Sequence, residues 1–312
     1  MLRTAFCAFV LSLYCLSPAL AAEFIIEKQD DGLTVKTDDK LVTRYLFKSG
    51  AKPILFPIVG PTGKELTRGW PMQAAREFEA QDHPHHRSLW LTHGNVNGVD
   101  FWSESGKNGT IVHRELVKVD TGEVATIITK NDWLAPDGKK VCEDERTLRF
   151  GATKSTRWID FDAKIKASEG ELKFGQTKEG SFGVRVWETM KMTAKTGGGH
   201  IVNSEGIKDK ATWGKAAAWV DYYGPVEGET LGIAILNHPS SFRFPTTWHV
   251  RDYGLFAANP FGGKDFSPEV ADAYGEYALP AGETLSLRYR VILHAGDEKQ
   301  GAIAEAFAEY AK

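Results

Sequence analysis

The chain has 312 residues, with 38 Lys+Arg against 41 Asp+Glu and a formal net charge of −3. Hydrophobic residues make up 42% and charged residues 25%, a composition that supports a buried core and excludes disorder as the main state. A slightly negative charge with no long Lys/Arg run argues against nucleic acid as a partner.

Residues 1–21 read MLRTAFCAFVLSLYCLSPALA, with Arg3 at the start, an apolar stretch over 5–16 and the small-x-small pattern Ala19-Leu20-Ala21. This is the layout of a cleaved secretion signal, with cleavage after Ala21 or Ala22. The apolar run is too short to span a bilayer, and no later stretch reaches the ~18 apolar residues of a transmembrane helix. A secreted or periplasmic protein without a membrane span is expected. Cys7 and Cys15 leave with the signal, so Cys142 has no partner for an internal disulfide.

From residue 22 onward the pattern is strand-like. Strands are predicted at 23–28, 32–37, 40–47, 110–119, 123–130, 140–150, 157–166, 182–191, 217–223, 230–237 and 284–294. Over 157–166, Ile159, Phe161, Ala163 and Ile165 alternate with Asp160, Asp162 and Lys164. Over 284–294, Leu285, Leu287, Tyr289 and Val291 alternate with Ser286, Arg288 and Arg290. Turn signals such as Asp31-Gly32, Asp137-Gly138 and Gly197-Gly198-Gly199 separate the strands. One amphipathic helix is predicted at 298–311, where Ile303, Ala304, Phe307 and Tyr310 form a stripe. Many strands without intervening helices imply an all-β, large antiparallel β-sandwich with a short C-terminal helix, in one domain over 22–312.

Polar and aromatic residues concentrate in two segments. The first, 82–102, reads DHPHHRSLWLTHGNVNGVDFW and holds His83, His85, His86 and His93, four of the nine histidines. Arg87, Trp90, Asp100 and Trp102 are interleaved with them. Buried imidazoles need partners, so such density suits a site that exchanges protons. The second, 237–261, carries Asn237, His238, Arg243, Trp248, His249, Arg251, Asp252, Tyr253 and Asn259, and follows an apolar strand as a rim loop does. Between them, Glu188 is expected on the apolar face of a strand over 182–191, opposite Arg185 and Trp187.

These residues point to His/carboxylate acid–base chemistry beside aromatic faces, which suits a sugar. No Walker pattern, nucleotide-binding glycine motif or nucleophile elbow is present. A metal would use His83 and His85 on one face of an extended segment, with His93 or Asp100 as third ligand.

The segments DHPHHRSLWLTHGNVNGVDFW and TWHVRDYGLFAANPFG, with the C-terminal GEYALPAGETLSLRYRVILHAGD, resemble the bacterial PmoA family, also labelled methane oxygenase PmoA and DUF6807. The resemblance runs from about residue 23 onward. It implies a secreted protein whose shared polar set is His83, His85, His86, Arg87, His93, Asp100, His238, His249, Arg251, Asp252 and Asn259. The layout is also similar to the galactose mutarotase-like supersandwich proteins, which bind or convert sugars.

The reading that joins these strands of argument is a carbohydrate-active protein of epimerase, hydrolase or lyase type. His83 or His86 is its acid or base, and Asp252 or Glu188 the complementary carboxylate. Arg87, His93, Asp100, Trp102, His238, Trp248, His249, Arg251 and Asn259 bind a small-molecule or oligosaccharide substrate, and no cofactor is expected. The alternatives are a non-catalytic carbohydrate-binding protein and a metal-dependent oxidoreductase, as the methane oxygenase label suggests.

Overall fold

The computed structural model describes residues 22–193, 195 and 198–312, so the expected signal over 1–21, with Cys7 and Cys15, lies outside the described residues. In chain order the strands are β1 (Phe24–Gln29), β2 (Gly32–Thr37), β3 (Lys40–Ser49), β4 (Lys52–Leu55), β5 (Leu89–His93), β6 (Thr110–Asp120), β7 (Ala125–Leu134), β8 (Lys140–Ala152) and β9 (Thr156–Lys166). They continue with β10 (Leu172–Phe174), β11 (Gly180–Arg185), β12 (His200–Asn203), β13 (Trp219–Val226), β14 (Glu229–Asn237), β15 (Trp248–Val250), β16 (Leu255–Ala258), β17 (Tyr277–Leu279) and β18 (Thr284–Ala295). Two α-helices, α1 (Gly263–Phe266) and α2 (Ile303–Tyr310), and three 3₁₀ turns, Glu188–Met190, Asp209–Thr212 and Pro268–Val270, complete the regular structure among the described residues. None of the described helices is long and apolar enough to cross a membrane.

Two eight-stranded sheets face each other, ordered β1-β2-β3-β4-β5-β11-β16-β15 and β12-β13-β14-β18-β9-β8-β7-β6, and β10 pairs with β17 in a small third sheet. This is the antiparallel sandwich the alternation predicts. The two clearest alternating segments are direct neighbours: Ile159 lies opposite Val291, Phe161 opposite Tyr289, Ala163 opposite Leu287 and Ile165 opposite Leu285. Their apolar face meets the first sheet, where Phe182 stacks on Tyr289 with ring centres 4.8 Å apart. Cys142 is buried and unpaired in β8, and burial pushes its thiol well above the ordinary range.

Strand parity decides what the outer face of the first sheet displays, because successive side chains point to opposite faces. Leu89, Leu91, Phe182, Val184, Trp248, Val250, Phe256 and Ala258 join the core between the sheets. Their neighbours Trp90, Leu255 and Ala257 join a separate outer cluster with Ile54 and Trp102. Gly183 fits this arrangement because a Cβ there would lie 2.6 Å from the Trp90 ring. On the far face of the second sheet, Trp219, Leu236 and Ile292 pack against Ile303 and Tyr310 of α2.

Three expectations are corrected. The strand expected over 182–191 ends at Arg185, and Glu188 opens a 3₁₀ turn instead of standing on a strand face. The segment 237–261, read as a loop, contains β15 and β16, which are buried throughout and so show no alternation. The terminal helix begins at Ile303 rather than near residue 298.

Candidate functional site

A cavity of about 650 Å³ opens over the outer face of the first sheet, lined by His83, His85, His86, Gly94, Asp100, Trp102, Ser103, Thr177, Lys178, Glu179, His249, Arg251 and Tyr253. The two rich segments therefore meet at one hollow. The chain makes this possible by pairing β11 with β5 on one side and with β16 on the other, and by pairing β16 with β15.

The histidines of the first segment sit on a turn rather than an extended stretch. The His86 backbone N–H donates to the His83 carbonyl at 2.9 Å, and His83 has a left-handed φ of +47°. The turn puts His83 and His86 on the same side, their rings stacked with centres 4.8 Å apart, while His85 stands edge-on to His86 at 4.5 Å. Tyr253 lies parallel to both rings, its centre 5.2 Å from that of His83 and 6.5 Å from that of His86. His86 in turn stacks on Trp90 at 5.5 Å.

Asp82 orders this group. Its carboxylate accepts from Arg185 at 2.8 Å, from Arg68, and from His83 Nδ1 at 2.9 Å. Burial opposes its charge, but Arg185, the His83 ring and Arg68 together hold the carboxyl well below the usual carboxylate range. Arg185 also donates to His86 Nδ1 at 3.2 Å, which places the His86 proton on Nε2, because a guanidinium cannot accept. In the neutral His83 ring the bond from Nδ1 to Asp82 selects the tautomer whose lone pair is on Nε2.

On the opposite wall, β15 turns His249 outward between Trp248 and Val250. His249 is 2% exposed, and neither ring nitrogen makes a hydrogen bond of normal geometry, its ring having a polar contact with the Lys178 backbone. Burial pushes its imidazole down to about 3, and the nearby Arg251 adds to the shift. Burial likewise takes His85 down to about 4, helped by Lys52, and takes His86 well below the ordinary value. Three uncharged imidazoles thus face the hollow at neutral pH.

Sequence reasoning did not find Glu179. It stands in a loop between short strands with no motif around it, and only the tertiary fold brings it to the cavity. Burial raises its carboxyl above the ordinary value against the pull of Lys178, whose ammonium lies 3.6 Å away. Asn259 fixes this loop, donating to the Thr177 carbonyl at 2.9 Å and the Lys178 carbonyl at 3.1 Å while accepting from Phe261 N–H at 3.0 Å. Its role is to position the wall rather than to touch a ligand.

Several other expected site residues lie elsewhere. His93 shares the inward parity of Leu89 and Leu91. Its Nε2 donates to the Gly175 carbonyl at 2.8 Å and its Nδ1 accepts from Ser181 at 3.2 Å, so it is a satisfied core histidine. The ligand set of His83, His85 and His93 does not form. Among the described residues no group of three or more His, Cys, Asp or Glu side chains is placed to hold a metal ion. Arg87 turns away from the hollow to grip Glu104, which Lys52 also contacts at 2.9 Å. Glu188 pairs with Lys191, outside the lining. Trp248 is fully buried and donates to the Ala217 carbonyl at 3.0 Å. His238 accepts from Ser240 N–H at 3.0 Å and packs edge-on against Tyr310 of α2, remote from the cavity. Asp252 belongs to a neighbouring hollow, where Lys210 holds it at 3.0 Å. Asp100 does line the cavity, but its carboxylate is occupied by the Trp102 N–H at 2.7 Å, the Ser103 N–H at 3.1 Å and the Ser103 hydroxyl.

The family described as "Family of unknown function (DUF6807)" matches residues 32–308, and the methane oxygenase label is no part of that description. No curated protein matches the chain. Among solved structures, the chain is similar to a heparan sulfate lyase mutant from Pedobacter heparinus, at 11% identity and a TM-score of 0.39, over 90% of this chain and 36% of the lyase. It is similar to a galactose mutarotase related enzyme from Lactobacillus acidophilus, at 9% identity and a TM-score of 0.36, over 88% of this chain and 97% of that one. A GH36 α-galactosidase from Geobacillus stearothermophilus gives 12% identity and a TM-score of 0.36, over 89% of this chain and 39% of the galactosidase. The chain spans well under half the length of the lyase and the galactosidase.

Proposed function

Since the chain belongs to the DUF6807 family, a family of unknown function, we propose a function from the cavity itself: acid–base chemistry on a sugar or glycoside by a secreted or periplasmic protein. The observation that carries this reading is that His83, its Nδ1 held by Asp82, and Glu179, whose carboxyl burial raises, line one hollow of about 650 Å³. A neutral imidazole can accept a proton, and a carboxyl raised by burial can give one.

His83 is the base. Asp82 fixes its tautomer through Nδ1, and the parallel rings of His86 and Tyr253 beside it hold the ring. Glu179 is the complementary acid. His249 offers one ring donor and one ring acceptor to hydroxyls, and the half-buried ring of Tyr253 supplies an apolar surface for the C–H side of a sugar ring. His86 is more than 98% buried and held by Arg185, so it supports His83 rather than reacting. Proton transfer at an anomeric centre, glycoside cleavage and elimination all use such a pair.

Turnover on a panel of sugars and glycosides tests the proposal. Losing one positioned acid or base lowers such rates by about 10²–10⁴-fold, so His83→Ala and Glu179→Gln should each fall by that order. Unchanged rates in both variants would remove the pair from the mechanism. Saturable binding without turnover would make the protein a carbohydrate-binding module.

A further inference from the structure

Beside the main cavity lies a second hollow of about 350 Å³, lined by Lys210, Trp213, Val250, Arg251 and Asp252. Arg251 lines both spaces. Its guanidinium lies 5.8 Å from the Trp213 ring centre and 5.5 Å from that of Tyr253, so it stands between an aromatic of each hollow. The carboxylates around it are already engaged: Asp252 by Lys210 at 3.0 Å, Asp82 by both Arg68 and Arg185, and Asp100 by the Trp102 and Ser103 N–H groups. Among the described residues the Arg251 guanidinium has no hydrogen-bonded partner, which leaves the junction with an excess positive charge.

Two further polar groups here are also poorly satisfied. The Trp213 indole N–H is buried and unbonded, and His249, which is 2% exposed, has neither nitrogen in a well-formed hydrogen bond. Buried polar groups without partners cost stability, and a ligand that supplies the partners recovers it. A guanidinium presents a planar fork that matches a carboxylate with two parallel bonds.

Resting on the sugar reading above, we infer that the ligand is an acidic oligosaccharide, with sugar units in both hollows and a uronate carboxylate on Arg251. A single neutral sugar would fill one hollow and leave the Arg251 fork unanswered. Trp213 would serve as the floor of the second unit.

Calorimetric titration with trisaccharides of galacturonate, glucuronate and mannuronate tests this, alongside their carboxyl-reduced counterparts, a sulfated neutral trisaccharide and the single uronic acids. One uronate trimer should bind roughly tenfold or more tighter than its reduced form, since bonds to a charged group contribute about 1.5–3 kcal/mol. That margin should shrink with salt and exceed the margin of the sulfated probe. Arg251→Gln should abolish it, and Arg251→Lys, which keeps the charge without the fork, should retain part of it. Trp213→Ala should weaken the trimer and leave the monomer unchanged. Unfolding curves that match the parent protein qualify each variant for the comparison. Equal binding of charged and reduced trimers overturns this inference and leaves the sugar reading standing, as does an unaltered margin in Arg251→Gln. Failure of every saccharide, neutral ones included, ends both.

Discussion

Asp82 and His249 hold opposite relations to stability. Asp82 is the shared acceptor of Arg68 and Arg185, both fully buried. Asp82→Asn leaves two buried cations short of a counter-charge, and breaking such pairs costs about 3–5 kcal/mol. Urea unfolding should show that loss, whereas His83→Ala, which removes a ring that is 42% exposed, should shift the curve by well under half as much. His249 is buried without a well-formed hydrogen bond, so His249→Leu should hold or raise stability by up to about 1 kcal/mol while sugar affinity falls. A variant less stable than the parent would show that the imidazole is satisfied in the free protein. The histidine-rich segment was legible because composition alone marks it. Glu179 was not, because an isolated acid among Lys178, Thr177 and Gly180 has no local signature, and its raised carboxyl exists only through burial.

Among the elements, long half-buried strands announce themselves and short, fully buried ones do not. The alternation of β9 and β18 was plain because one face meets the core and the other meets polar partners such as the Arg290–Asp160 pair at 2.6 Å. Residues in β5, β15 and β16 are buried on both faces, so alternation disappears and the Gly- and Asn-rich surroundings suggest a loop. The expected faces of His83, His85 and His86 failed for a related reason: a left-handed residue converts period two into a turn. The loop bearing Glu179 gives a test at this scale. Asn259→Ala removes two donors and an acceptor that hold residues 177–178 and Phe261, at a cost of about 1–3 kcal/mol. Amide exchange should accelerate at residues 177–180, and turnover should fall with it. Full activity with a loosened loop would deny Glu179 its role.

Across the whole molecule, buried histidines set the response to acid. Burial lowers His93 and His85 to about 4, His249 to about 3 and His86 well below its ordinary value near 6.5. Groups with lowered values contribute stability that is fully present above pH 6.5 and is lost as pH falls toward those values. His294 acts in the other direction: burial opposes its charge, but Asp221 at 3.0 Å raises it, so its contribution is present below pH 6.5 and lost as pH rises. Four lowered groups outweigh one raised group, so the melting temperature should drop between pH 6.5 and 4.5. A flat or rising profile over that window would contradict these assignments. The outward display of His249 between two inward residues has a consequence of its own. Trp248 and Val250 anchor the sandwich while the position between them addresses the solvent cleft, so exchanging cleft-facing positions retunes selectivity without repacking the interior. Adding or deleting one residue inside that strand would instead swap the two roles, sending an imidazole into the oil and an indole into the water.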